Sequence, residues 1–226
     1  RRLGLLVAHR VGGGELLAGA PRPNFWRAPT DNDFGNGMPA RCDVWRRAGD
    51  GRALERFEVR ALSDRAVRLT ARFAFPDVGS RQTTTYTVLG SGEIVIRNEL
   101  AVGDGKLPEL PRFGMRLRVP AAFENVAWYG RGPHENYWDR RASAFVGLYQ
   151  STACGLLEPY VSPQENGYRT DVRWLSLRDG QGRGIAFLAT DLISFSALRY
   201  AIEDLTQESR GTRHPVDLVE RDFVEV

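Results

Sequence analysis

Thr83-Thr84-Thr85-Tyr86-Thr87-Val88-Leu89 runs into Gly90-Ser91-Gly92 and returns as Glu93-Ile94-Val95-Ile96-Arg97-Asn98-Glu99-Leu100. The first arm is almost wholly β-branched or aromatic, side chains that fit a pleated surface. A short glycine-containing connection between two such arms predicts a β-hairpin. The pattern spreads in both directions. Phe57-Glu58-Val59-Arg60-Ala61-Leu62 and Ala66-Val67-Arg68-Leu69-Thr70-Ala71-Arg72-Phe73 alternate apolar and polar residues, the period of a half-buried strand. Downstream, Phe113–Val119 and Val126–Gly130 read the same way, the first closed by Pro120. Val172–Leu177 and Gly184–Ala189 flank the turn Arg178-Asp179-Gly180-Gln181-Gly182, a second hairpin. Many short strands separated by Gly and Pro turns predict an all-β sandwich or barrel.

Helical signals are sparse. Asp43–Gly49 predicts about two turns, stopped at Gly49, and Glu203–Gln207 a short helix. Pro21–Val44 fits neither period. It is rich in Pro, Asn, Asp and Gly, yet holds Phe25, Trp26 and Phe34, so it reads as a long, ordered, functional loop. No repeat, low-complexity tract or linker interrupts the chain, which predicts one domain over residues 1–226 of the 226-residue sequence.

Composition narrows the function. Lys106 is the only lysine among 31 basic residues, and the arginines are interleaved with acids to a net charge of +3. No basic block or zinc-finger spacing is present, which argues against nucleic acid as a partner. No apolar run approaches the roughly 20 residues of a membrane helix, so no membrane partner is expected. Arg1–Gly14 is too polar and glycine-rich for a secretory leader. Cys42 and Cys154 are too few for a disulfide framework and read most simply as two free thiols, with a single bridge as the alternative, so a soluble, cytoplasmic protein is expected.

Three stretches resemble one family. The first is Arg22-Pro23-Asn24-Phe25-Trp26-Arg27-Ala28-Pro29-Thr30-Asp31-Asn32-Asp33-Phe34-Gly35. The second is Trp128-Tyr129-Gly130-Arg131-Gly132-Pro133-His134-Glu135-Asn136-Tyr137-Trp138-Asp139-Arg140. The third is Pro159-Tyr160-Val161-Ser162-Pro163-Gln164-Glu165-Asn166-Gly167, followed by Arg169 and Arg173-Trp174. Together and in this order they resemble the small chain, or domain 5, of family 2 β-galactosidases. The resemblance implies a large antiparallel supersandwich of the galactose-mutarotase-like type. It implies a parent enzyme, a retaining glycoside hydrolase, that cleaves terminal β-D-galactosides such as lactose. The partners implied are the remaining β-galactosidase domains or a large subunit. The family's catalytic glutamates lie in a TIM barrel that nothing here resembles, so this chain alone is expected to be inactive. The resemblance implies no cofactor in this chain and leaves Mg and Na to the intact enzyme. It also implies a domain that continues past Phe223-Val224-Glu225-Val226, leaving an edge strand unpaired.

Site residues follow from the same comparison. Asp31, Asn32, Asp33, Phe34 and Gly35 would form a substrate-proximal loop, because in the family this run leads into a mobile loop beside the galactose site. Gly35 and Gly37 would allow hinge-like changes. The Asp31-Asn32-Asp33 triplet lacks the rest of a Ca²⁺ loop, so hydrogen bonds that shape the segment are expected of it. Trp26 and Trp138 are candidates for contact with sugar or a partner domain, although tryptophans in sandwiches are usually core. Glu135 and Glu165 sit beside Asn and aromatics, as catalytic acids can, but turn carboxylates commonly bind backbone N–H groups, and that reading is preferred. His9, His134 and His214 are too scattered for a metal site. Two other classes stay open: a stand-alone carbohydrate-binding module, and a mutarotase-like epimerase with His134 as its histidine.

Overall fold

The computed structural model describes residues 4–226; Arg1–Leu3, the start of the stretch read against a leader, lie outside the described residues. In chain order the elements are β1 (Arg10–Val11), β2 (Gly14–Glu15), β3 (Gly19–Asn24), α1 (Asp31–Asn36), α2 (Met38–Arg41), α3 (Asp43–Ala48), β4 (Ala53–Ser63), β5 (Ala66–Phe75), β6 (Ser80–Leu89), β7 (Ile94–Ala101), β8 (Gly114–Pro120), β9 (Asn125–Gly132), β10 (Phe145–Thr152), β11 (Arg169–Arg178), β12 (Gly184–Phe195), α4 (Ile202–Leu205) and β13 (Phe223–Glu225). Every strand pairing described is antiparallel. The expected all-β class holds. Contacts divide the chain into two compact units, each assembled from three separate stretches.

Among the described residues the first unit comprises residues 4–6, Arg22–Trp26 and Pro39–Met115. Its sheet is the meander β4-β5-β6-β7. The β6–β7 hairpin is the one read from the threonine run, with Tyr86 opposite Ile96 and Thr85 opposite Arg97. Alternation sends Ala71, Phe73 and Phe75 inward, all 1 % exposed or less. Phe25 meets Phe75 edge to face at 5.0 Å and Trp45 at 5.9 Å. Trp45, from α3, donates Nε1–H to the Pro108 carbonyl at 3.1 Å, so the one polar atom of a buried indole is satisfied. Gly49 caps α3 as expected, but for a different reason than a left-handed backbone. Its φ is −62°, and a Cβ there would lie 2.6 Å from the Pro23 carbonyl oxygen.

The second unit comprises Val7–Pro21, Arg27–Met38 and Arg116–Val226. Its main sheet runs β10-β9-β11-β12. Val126, Trp128, Leu175 and Leu177 fill its inner face, each 1 % exposed or less. Register shifts between Arg169 and Val172 and between Val172 and Trp174 interrupt the β11–β12 ladder. A further sheet has the order β13-β8-β3. The terminal strand is paired on both sides: β13 with β8, and Glu225 with Leu198. The Glu225 carboxylate accepts from Arg116 Nη2 at 2.6 Å, Arg118 Nε at 3.0 Å and the Ile202 N–H at 3.0 Å. The strand read at Phe223–Val226 is therefore ordered and tied in.

Several elements depart from the sequence reading. Pro21–Val44 contains the end of β3, then α1 and α2 and the start of α3, where a long loop was expected. Pro21 and Pro23 obscured β3; proline is tolerated there because β3 lies at the margin of its sheet. Strand β10 had no counterpart in the sequence reading.

Candidate functional site

The run expected to be a substrate-proximal loop is a helical turn, and its own residues explain why. Thr30 is the N-cap of α1, with an extended backbone. The Asp33 N–H donates to Thr30 Oγ1 at 3.3 Å, and the Thr30 N–H donates back to Asp33 Oδ2 at 2.9 Å. This capping box satisfies two donors that a helix start leaves unpaired. Gly37, at φ 74°, ends the helix in the left-handed conformation. The Arg27 guanidinium grips Asp33 with two nitrogens, Nη2 to Oδ1 at 2.8 Å and Nη1 to Oδ2. Burial alone would raise the Asp33 carboxyl; the Arg27 bonds and the Thr30 N–H outweigh it and hold the group below the usual range.

Asp33 is therefore a bound anion with no proton to transfer near neutrality. Asp31, Asn32 and Gly35 are exposed and Phe34 is half-buried. Asp31 bonds Arg210 Nε at 3.1 Å. Because the folded-state value of Asp33 is depressed, its contribution to stability is complete above the unfolded value of about 3.9 and lost as pH falls through the folded value. Acid should accordingly loosen α1. The protection factors of the Thr30 and Asp33 amides, exchange at each pH being referred to the intrinsic rate at that pH, should fall from pH 6 to pH 2 in the wild type and show no such titration in Asp33→Asn.

The second and third sequence segments meet in the same unit, at Glu135. Its carboxylate is 4 % exposed. The Gly167 N–H donates to Oε2 at 2.8 Å and the Tyr137 hydroxyl to the same oxygen at 3.4 Å. Arg140 Nη2 and the Tyr160 hydroxyl both bond Oε1. Burial, then this bond to the carboxylate, pushes the Tyr160 phenol up. Asn136, fully buried, extends the seam: its side chain donates to the His134 carbonyl at 3.1 Å, and its Oδ1 accepts from Thr170 N at 3.1 Å and Thr170 Oγ1 at 2.6 Å. Tyr137 stacks on Tyr168 at 5.2 Å.

The expectation that Glu135 pins its turn is met. An oxygen pair holding four internal donors is neither a free nucleophile nor a poised acid. Glu165 is also 4 % exposed, and beside it Asn166 bonds both the N–H and the carbonyl of Glu158 at 2.8 Å. Arg169, quoted with the third stretch but given no role there, is 2 % exposed and donates to the carbonyls of Gly167, Leu156 and Pro133 at 2.7, 3.2 and 3.2 Å. Burial lowers its value.

The tryptophans divide. Trp26 is 4 % exposed under the Arg46 guanidinium, which leaves little of its ring for a ligand, and Trp128 is core. Trp138 is 61 % exposed, with the Arg141 guanidinium 4.7 Å above it. His134 is exposed and bonds Ser143 Oγ at 3.1 Å. Asp171, also missed, has a positive φ of 52° and accepts from Arg131 Nε at 2.5 Å; Arg141 lies 3.6 Å away. No periodicity announces a left-handed aspartate. Among the described residues no group of three or more His, Cys, Asp or Glu side chains could hold a metal ion, and no helix is long and apolar enough to cross a membrane.

Comparison with known proteins gives one consistent result. The family described as beta galactosidase small chain matches residues 1–226. The β-galactosidase of Priestia megaterium is 38 % identical over 201 residues, covering 89 % of this chain and 19 % of that protein. Those of Halalkalibacterium halodurans and Streptococcus thermophilus are 33 % and 31 % identical, each covering 96 % of this chain and 21 % of the relative. The chain thus spans about a fifth of the length of the curated relatives it matches.

Proposed function

This chain belongs to the beta galactosidase small-chain family, and we propose from that premise that it serves as the supporting part of an enzyme that hydrolyses terminal β-D-galactosides such as lactose. Its work is to buttress the catalytic barrel and to present the α1 segment, Asp31 to Gly35, at the rim of the galactose site. The observation that carries this reading is the match along the whole chain, combined with a Glu135 carboxylate saturated by internal donors. A retaining glycosidase needs two reactive carboxyl groups about 5–5.5 Å apart. Here Glu135 and Asp33 are committed to holding turns. The reducing cytoplasm is the compartment we assign, and the free thiols of Cys42 and Cys154 support it.

The test is direct. The purified chain, cleared of host β-galactosidase, should give no hydrolysis of o-nitrophenyl β-D-galactoside above background. Supplied with the remainder of the enzyme, expressed as a separate polypeptide, it should restore turnover. Hydrolysis by the chain alone would overturn the supporting role.

One observation favours a second reading. Trp138 is exposed like the aromatic platform of a carbohydrate-binding module. Saturable quenching of tryptophan fluorescence by lactose, abolished in Trp138→Ala, would support it. An epimerase is poorly supported, since the His134 ring faces solvent while Glu135 is buried and consumed.

A further inference from the structure

The outer face of the second unit's main sheet is apolar where solvent would favour polar groups. Strand register sets Leu148 beside Tyr129, Tyr129 beside Trp174 and Trp174 beside Leu188. Alternation along β9 and β11 sends Trp128 and Leu175 to the core, and therefore sends this row outward. Leu148 is 72 % exposed, Leu188 78 % and Tyr129 38 %. A continuous row across four strands differs from scattered surface hydrophobes, and such rows mark interaction sites.

The row ends in a cationic cluster. The irregular register around Val172 lets Arg173, next to Trp174 in sequence, place its guanidinium over the Tyr129 ring at 5.4 Å. Arg173 donates to the Asp171 carbonyl at 2.5 Å, and among the described residues no carboxylate pairs with it. Arg131 and Arg141 converge on the Asp171 side chain, and Arg141 covers the exposed Trp138. Two guanidinium groups thus share one carboxylate, and the third, that of Arg173, bonds only the backbone carbonyl of the same residue.

We propose that this face, from Leu188 through Trp174 and Tyr129 to Leu148, with Arg173 and Arg141 at its margin, is the surface on which the chain receives the remainder of the β-galactosidase. The inference rests on the galactosidase reading above and assigns that partner a place. Charge decides the occupant. The complementary surface is apolar with carboxylates opposite the arginines, because desolvated like charges are costly and opposite charges fix register. A second copy of the chain meeting this face about a two-fold axis would press the same excess of arginines against itself. The relatives, about five times as long as the stretch matched, supply ample polypeptide of another sequence.

The test uses the chain and the remainder of the enzyme as separate polypeptides, with affinity measured by titration calorimetry. Leu148→Asp combined with Leu188→Asp should weaken association at least 100-fold and leave the chain's own thermal midpoint unchanged, since both side chains are largely exposed. Arg173→Glu should weaken it about tenfold and reduce its salt dependence. Undiminished binding by both variants would overturn the surface while leaving the galactosidase reading intact. A wild-type dimer dispersed by the leucine variant would overturn it in favour of self-association. Failure of the unaltered chain to bind the remainder would overturn the galactosidase reading, and this surface with it.

Discussion

Replacing Glu135 with alanine is expected to destabilise the chain by about 3 kcal/mol, the size of loss seen when one partner is removed from a buried charge network. The residue gathers groups far apart in sequence: Arg140 and Tyr160 on one oxygen, Gly167 and Tyr137 on the other. Alanine leaves the Gly167 N–H buried without an acceptor, which alone costs about 1–3 kcal/mol. It also frees Arg140, but that guanidinium is half-exposed and regains water, so the total stays at the lower end for a buried pair. For a chain of this size the thermal midpoint should fall by about 6–12 °C. Glu135→Gln keeps one acceptor and should cost about half as much. Hydrogen exchange locates the effect: the Gly167 amide should lose protection first. A Glu135→Ala protein that melts with the wild type and keeps that amide protected would show that the carboxylate does not hold the seam.

Trp45→Ala should be at least as damaging, by about 3–5 kcal/mol, because it empties a large volume from the aromatic cluster of the first unit. Trp45 is 1 % exposed, meets Phe25, and satisfies the Pro108 carbonyl. Trp45→Phe retains most of the packing and loses the hydrogen bond, so about 1–2 kcal/mol is expected. The neighbouring thiol reports the change without a melting experiment. Cys42 is buried and Cys154 exposed, so a thiol reagent should modify one cysteine quickly in the wild type and both in Trp45→Ala. Slow labelling of Cys42 in the alanine variant would place its protection elsewhere.

The strands were legible where burial is one-sided. In β5, Ala71 and Phe73 turn inward while Arg68, Thr70 and Arg72 turn out, so period two is visible in the letters. Strand β10 was not legible for the same physical reason in reverse. Phe145, Val146 and Leu148 are all exposed, so both parities carry apolar residues and no alternation survives. The start of α1 was present in the sequence as Thr30 followed three residues later by Asp33, a capping-box spacing, but the surrounding Pro, Gly and Asn drew the reading to a loop. Glu135 as a turn-pinning carboxylate could be anticipated from its neighbours. Its bonds to Tyr160 and Gly167 could not, because they join residues 25 and 32 positions away through the tertiary fold. Asp171 gave no signal, since its left-handed backbone is imposed by surroundings that no local pattern encodes.

Strand β10 has a consequence for handling the molecule. Among the described residues it pairs with no strand but β9, and its eight residues, Phe145 to Thr152, include neither a charge nor a proline. Sheets usually guard such a border with lysine, proline or a bulge, because bare amides invite a foreign backbone to join the ladder. A concentrated sample of the chain by itself is thus primed to grow fibrils from this border, and a single lysine introduced at Gln150, which is exposed, would serve as the missing sentry.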